Sequence, residues 1–431
     1  MTSSSAPPNS QPPNSSPAVA LPTAAELDAA DPLAAFRDEF EIPEGIYLVG
    51  NSLGPLPKLA RELVATELDR WSTLGVEGHF TGDLAWKDYH TLVTDQLAAL
   101  VGASPDEVVA MNALTVNLHL LMVSFYRPTP ARHKILIESH AFPSDHFAAE
   151  SQIAQRGYDP KDSLILLTPR DGEETLRHAD IMAAVAEHGD ELALALLPGV
   201  QYYTGQVLPM SDIVQACHSV GALVGLDLAH AVGNVELALH DWNVDFAAWC
   251  NYKYLNGGPG AIGAAFVHER HVGDQNIPKF TGWWGTNPAT RFEMATVFDA
   301  MPTVESWQLS NAPILQLAVL RASLDIFERA GGMTALRQKS ELQIGLFDRL
   351  LAEKLDGRIE NITPAAMSER GCQFALRVRN GDGRKVFEQL EHARVLCDWR
   401  EPDVIRAAPV PLYNSFADIE QFVDILDEIA Q

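Results

Sequence analysis

Two residues near the middle of the chain have types and positions suited to covalent chemistry. Asp227 ends the apolar run "ALVGLD", and Lys253 stands just beyond a second run in "DFAAWCNYKYLNGGPG". Lysine is among the residues least often buried. Here it lies between two tyrosines and ahead of a loop rich in glycine, Gly257, Gly258 and Gly260, with Pro259 among them. Such a loop would hold the amine in a fixed, partly enclosed place. An amine that forms an imine with an aldehyde, and a carboxylate that pairs with a protonated pyridine nitrogen, are the two groups pyridoxal phosphate requires. Taken singly, each residue also has a plain structural reading. A strand-end aspartate caps a turn, and a loop lysine is solvated.

The elements that must position this pair are legible in outline. The runs "KILIE" (134–138), "SLILL" (163–167), "LALALL" (192–197), "ALVGLD" (222–227), "DFAAW" (245–249) and "IGAAFV" (262–267) read as buried strands. Helical patterns such as "MSDIVQACHSVG" separate several of them. Strands buried on both faces and alternating with helices imply an α/β fold with a mostly parallel sheet. Ligands of such sheets bind beyond the carboxyl ends of the strands, where Asp227 and Lys253 fall. Earlier in the chain, Pro57 opens a helix whose apolar face is Ala60, Leu63, Val64, Leu68 and Trp71. From about Ala312 a long helical pattern leads toward "CQFALRV", "RVLCDWR" and "VIRAAPV", which read as strands of a second unit. The last helix begins after Ser415, a fair N-cap, with Ile419, Phe422, Val423, Leu426 and Ile429 on one face.

At 431 residues the chain is long for a single core, so two domains are expected. Its net charge of −26 disfavours nucleic acid and anionic membranes as partners, while leaving room for small anions held by a few local cations. Cys217, Cys250, Cys372 and Cys397 have neither CxxC nor metal-ligand spacing. Reduced thiols in a cytoplasmic protein are expected, with no metal. Residues 1–24 carry no charged side chain and are crowded with Ser, Pro and Asn. This matches no signal or transit peptide and reads as a disordered tail. No apolar run has the length of a membrane span, and no GxGxxG follows an early strand, which disfavours a dinucleotide-binding oxidoreductase.

Six longer stretches carry a resemblance: "MNALTVNLHLLMVSFY", "AFPSDHFAAESQI", "LPGVQYYTGQ", "GLDLAHAVGNVELALHDWNVDFAAWCNYKYLNGGPG", "GWWGTN" and "IRAAPVPLYNSF". Together they closely resemble the kynureninase family, pyridoxal-phosphate enzymes of the aspartate-aminotransferase fold family, from about Tyr47 to the C-terminal helix. The resemblance implies fold type I, a PLP-dependent transferase-like α/β architecture. Its parts would be an N-terminal segment (25–70) packed on the small domain, a large cofactor-binding domain (71–315) and a smaller α+β domain (316–431). It implies hydrolysis of L-kynurenine, and of 3-hydroxy-L-kynurenine, to anthranilate or 3-hydroxyanthranilate and L-alanine.

Carried over by motif, Lys253 would be the imine lysine, Asp227 the partner of the pyridine nitrogen, and His230 a neighbour of the cofactor. Phe142 would stack on the ring, with Pro143, Ser144 and Asp145 completing that wall. Leu114 and Thr115 would hold the phosphate at a helix start. Tyr252 would add its hydroxyl to the phosphate and assist the steps at the carbonyl and β-carbon. Trp283 and Asn311 resemble phosphate ligands lent by a second subunit, so a homodimer with composite sites is implied. Arg406 would grip the substrate carboxylate, and His79 and Ser52 would lie near its aromatic part. Some family members have Ser where this chain has Pro198, so no hydroxyl contact is expected there. A different lyase, desulfurase or aminotransferase on the same scaffold, and a non-catalytic binding module, are the competing readings. Neither Cys250 nor Cys217 reads as the loop-borne thiol a desulfurase needs.

Overall fold

The computed structural model describes residues 21–274 and 276–430, so residues 1–20 of the expected tail lie outside the described residues. Thr23 caps a first helix, Ala24–Ala30. All six apolar runs form strands, at Lys134–Glu138, Leu164–Leu167, Leu192–Pro198, Leu223–Asp227, Phe246–Cys250 and Gly263–Val267. They join one seven-stranded sheet, completed by Val108–Ala110 at the edge beside Gly263–Val267. That edge strand is too short to show a period in the sequence. The four pairings that join the five strands from Leu164–Leu167, at the other edge, across to Phe246–Cys250 are all parallel, and Gly263–Val267 runs antiparallel to both of its partners.

Alternation along the strands explains why both faces are covered. Ile135, Ile137, Leu194 and Leu196 pack with the helices Leu114–Phe125 and Pro143–Gln155. Leu136, Ala195, Leu197, Val224 and Leu226 pack on the opposite side with the helices His178–His188 and Met210–Ser219. Burying both faces requires near-continuous apolar strands, as the six runs are.

The long helical pattern after Ala312 is two helices, Ile314–Arg329 and Gly332–Lys354. Gly331 and Gly332 break it with φ of +91° and +69°, a left-handed backbone that glycine adopts without penalty. Beyond them a four-stranded antiparallel sheet places Ile359–Asn361, Phe374–Val378, Val404–Ala407 and Asp398–Arg400 side by side. The run "RVLCDWR" is split at Cys397. Val395–Leu396 pairs in parallel with Ile46–Tyr47, while Asp398–Arg400 pairs with Val404–Ala407. The final helix, Phe416–Ile429, starts where Ser415 accepts the Asp418 N–H at 3.0 Å. Ile419, Phe422, Val423 and Leu426 fill a core with Phe347, Phe374 and Ile405, and Ala24, Ile46 and Leu48 from the N-terminal segment join it.

Residues 46–54 form a strap between the two cores. Leu48 N–H donates to Leu396 and Leu48 C=O accepts from Ala408, each at 2.7 Å, and Gly54 N–H donates to the Tyr252 carbonyl at 2.9 Å. After it Pro57 sits at the N-cap of the helix Lys58–Leu74. Of that helix's apolar face, Ala60 is buried and Leu63 and Val64 pack on the core, but Leu68 and Trp71 are 44% and 63% exposed.

Candidate active site

The strand ends at 227 and 250 open onto a cavity of about 360 Å³ that receives both residues of the central pair. Asp227 is fixed by its own turn, since its Oδ1 accepts the Ala229 N–H at 2.8 Å. Lys253 follows its strand by three residues on a tightly bonded loop. Asn256 N–H donates to the Lys253 carbonyl, Gly257 N–H to the Asn251 carbonyl, and Asn251 Nδ2 to the Ile262 carbonyl. Asn256 (φ +51°), Gly258 (+87°) and Gly260 (+65°) take left-handed conformations, which accounts for the glycine content of this stretch. On the facing side, a Cβ at Gly54 would sit 2.1 Å from Asn256 Oδ1 and 2.5 Å from the Lys253 carbonyl. Only glycine permits the strap to approach the lysine loop this closely.

The electrostatics suit a nucleophilic amine. Burial lowers the Lys253 ammonium below the usual lysine value, and the Arg406 and Arg400 charges push the same way against Cys250 and Asp227. Its Nζ lies 2.8 Å from His230 Nε2. Burial, then the Lys253 charge, holds His230 well below its ordinary value, so the ring is neutral. Asp227 is raised by burial, and its neighbour Asp145 is raised further, by burial and by the Asp227 charge. Of these two carboxyls Asp145 therefore carries the proton and donates it toward Asp227. Tyr252 is a proton donor rather than a base, because burial and the adjacent Cys250 push its hydroxyl upward.

The cavity walls accommodate the expected cofactor. The helix Leu114–Phe125 points its start at the cavity, with Ala113 at the cap position offering no side-chain oxygen. The N–H groups of the first turn are thereby left for an anion. Phe142 keeps its ring 46% exposed and edge-on to Tyr202 at 5.3 Å. Ser144 and Asp145 line the same wall, whereas Pro143, the first residue of the Pro143–Gln155 helix, faces a neighbouring cleft. Asp145 Oδ1 and His230 Nδ1 are buried without protein partners, two polar atoms that a pyridine ring and its substituents can satisfy. Pro198 lines the cavity without a hydroxyl.

At the far side Arg406 is almost fully buried among Asp398, Ser52 and the Tyr202 carbonyl. Ser52, expected near the aromatic part of a substrate, has its hydroxyl committed to Asp398 and Arg406. Arg400, Asp398, Tyr202 and Glu138 were not singled out in the sequence. The signal for the first two is strand alternation. Residues 398 and 400 share a side, and the register sets Asp398 opposite Arg406.

Three expected site residues lie away from this cavity. His79 stacks edge-on against Trp86 at 5.3 Å in a separate groove with Trp71. Trp283 is 46% exposed, and its indole N–H donates to the Arg291 carbonyl at 2.9 Å. Asn311 is exposed. Rings at His79, Phe80, Phe292 and Trp283 follow one another at centroid spacings of 6.1, 5.4 and 5.4 Å, so two of the three share one surface ladder.

The chain shares its fold with pyridoxal-phosphate enzymes of known structure. A C-DES variant carrying glycine covalently linked to its PLP cofactor aligns with a TM-score of 0.75 at 18% identity, covering 91% of this chain and 99% of that one. The apo cysteine desulfurase of Thermococcus onnurineus NA1 aligns at 0.74 and 16% identity, over 95% and 99%. Sequence relatives are much nearer. Residues 336–426 match the kynureninase C-terminal domain model. Kynureninase of Xanthomonas oryzae pv. oryzae (strain PXO99A) is 55% identical over 407 residues, 93% of this chain and 96% of that protein. Kynureninase of Myxococcus xanthus (strain DK1622) is 51% identical over 410 residues, 94% and 96%. Identity of this depth across both cores, with the lysine, aspartate and arginine converging on one cavity, leaves one conclusion: the chain belongs to the kynureninase family.

Proposed function

We propose that the protein hydrolyses L-kynurenine, and 3-hydroxy-L-kynurenine, at the Cβ–Cγ bond to give an anthranilate and L-alanine, with pyridoxal 5'-phosphate carried on Lys253. The observation that carries this reading is the convergence of a buried low-pKa lysine, a buried aspartate and a buried arginine on one cavity. Bound pyridoxal phosphate supplies a cationic ring that withdraws electrons from bonds at the substrate α-carbon.

The protein's own groups do the rest. Leu114 and Thr115 would hold the phosphate with N–H groups at a positive helix end, and Phe142 would form a wall for the ring. Asp227 would hold a proton on the ring nitrogen, and neutral Asp145 donates toward Asp227 and so favours that carboxylate's ionised form. Lys253, whose charged form burial disfavours, takes the proton from Cα and returns it elsewhere on the substrate skeleton. His230 accepts from the lysine Nζ and fixes where that amine points. Tyr252, a protonated phenol beside the lysine, is placed to donate to the γ-carbonyl as water adds to it. Arg406 binds the α-carboxylate.

The working unit we infer is a homodimer in which Trp283, Asn311 and His79 of one protomer reach the cavity of its partner. Support comes from the large apolar side chains left exposed at Trp71, Phe80, Phe292, Met294 and Val297, of which Phe80 and Phe292 meet edge to face, since exposed apolar clusters mark interaction surfaces. A cytoplasmic location is supported by four free, buried cysteines, and among the described residues no helix is long and apolar enough to cross a membrane.

The test is direct. The purified protein should absorb visible light, release fluorescent anthranilate from kynurenine, and after borohydride treatment yield a peptide tagged at Lys253. A coloured protein that releases no anthranilate refutes the activity and leaves the scaffold. An untagged Lys253 refutes the assignment of the lysine.

A further inference from the structure

Arg406 cannot hold a carboxylate with its whole fork. Its Nε donates to Asp398 Oδ1 at 2.7 Å, and its Nη2 to Asp398 Oδ2 and to Ser52 Oγ at 3.1 Å. Its Nη1 donates to the Tyr202 carbonyl at 2.6 Å. Of the five N–H groups of a guanidinium, only one, on Nη1, is left. The edge that would fit a substrate carboxylate bidentately already faces Asp398.

A second guanidinium stands beside it. Arg400 lines the same cavity, with Nη2 at 3.2 Å from Asp398 Oδ2 and 3.4 Å from Ser52 Oγ. Its Nε is buried with no partner. An unpartnered buried donor on a charged group is costly, and an arriving anion relieves that cost. Arg400 and Arg406 share the single carboxylate of Asp398, so the cluster presents one net positive charge to the cavity. Both guanidiniums also act on Lys253 and His230, lowering each, which places the cluster within electrostatic reach of the reacting amine.

We propose that the substrate α-carboxylate is bound by Arg400 and Arg406 jointly, one oxygen on each, and that Asp398 is a positioning residue holding the two like charges side by side. This rests on the reading of the cavity as an amino-acid site, and it changes what the sequence implied, a bidentate grip by Arg406 alone. Asp398 occupies that grip, and the substrate takes the outer donors.

The holoenzyme is the material for the test, with two ligands that differ only in the carboxylate: L-alanine and L-alaninol. Binding of each is followed by the change in the visible spectrum, and turnover by anthranilate release. For Arg400→Gln the dissociation constant of L-alanine and the KM for kynurenine should rise about tenfold or more, the loss expected for one charge-assisted hydrogen bond. The kcat should stay within about threefold, since the contact is equally present before and during reaction. L-Alaninol affinity should not move, and Arg400→Lys should recover part of the loss as a point charge. For Asp398→Asn the same split between KM and kcat is expected. Unchanged L-alanine affinity in Arg400→Gln, or equal weakening of L-alanine and L-alaninol, overturns the proposal. Should Arg400→Gln fail to fold, Arg400→Lys decides it by the same comparison. Failure of the kynurenine reading itself shows separately, as wild-type protein that binds L-alanine but releases no anthranilate.

Discussion

Replacing Arg406 separates its role in the fold from its role toward substrate. Methionine at 406 keeps most of the side-chain volume, so the cavity penalty is small and the loss is electrostatic. Arg406 is 1% exposed and Asp398 is mostly buried, and breaking such a pair strands the remaining charge at roughly 3–5 kcal/mol. Arg400 still lies 3.2 Å from Asp398 Oδ2, which puts the penalty at the low end, about 3 kcal/mol. With an unfolding entropy of roughly 2.1 cal/mol/K per residue over 431 residues, each kcal/mol moves Tm by about 1 °C. Arg406→Met should therefore lower Tm by about 3 °C. The double variant Arg406→Met/Asp398→Asn no longer strands the carboxylate but takes the ion-pair partner from the part-exposed Arg400, so it should regain part of that loss rather than all of it. Activity should not follow. Losing a charge-assisted contact worth about 1.5–3 kcal/mol cuts kcat/KM by roughly 10- to 150-fold in the single and double variants alike. Scanning calorimetry and anthranilate fluorescence read the two effects. A double variant no more stable than the single one refutes the stranded charge, and kcat/KM within threefold of wild type refutes a substrate-facing Arg406.

Further outcomes are expected at other positions. Burial pushes Glu138 up to about 7, so folding increasingly disfavours its ionised form as pH rises from the unfolded carboxyl range to pH 7. Glu138→Gln should match wild-type Tm near pH 4 and exceed it by about 3 °C at pH 8, reflecting about 3 kcal/mol; a gain independent of pH contradicts this. Tyr252→Phe should keep the visible band but lose about 100-fold in turnover, and unchanged turnover would leave Tyr252 as a phosphate ligand only. Gly54→Ala should push on the Lys253 loop through the 2.1 Å and 2.5 Å contacts its Cβ would make. Its stability cost should be about 1–3 kcal/mol, with activity falling further than stability, so wild-type kcat/KM would show that the loop yields freely.

The parts of the fold written in local pattern are readable in the sequence. Six apolar runs separated by helical patterns mark the strands of the large sheet, five of them inside it and Leu164–Leu167 at its edge, and Ser415 marks the last helix by capping chemistry. What the sequence concealed depends on pairing between distant segments. Val108–Ala110 is a strand only because Gly263–Val267 lies beside it. "RVLCDWR" looks continuous, yet its two halves bond to different sheets because Ile46–Tyr47 intervenes. The site divides in the same way. Asp227 and Lys253 stand at strand ends and announce themselves, whereas the Asp398–Arg400–Arg406 cluster requires the register of two neighbouring strands. Leu68 and Trp71 read as core by spacing but face outward, since helical periodicity cannot distinguish a chain's own core from a partner's surface.

The strap at residues 46–54 bonds to the arginine-bearing sheet at one end and to the lysine-bearing loop at the other. An amino acid is grasped at two groups a fixed span apart, its carboxylate and its α-nitrogen. On the proposed reading, nine residues of N-terminal backbone would set that span, like the beam of a calliper whose jaws are supplied by two separate cores.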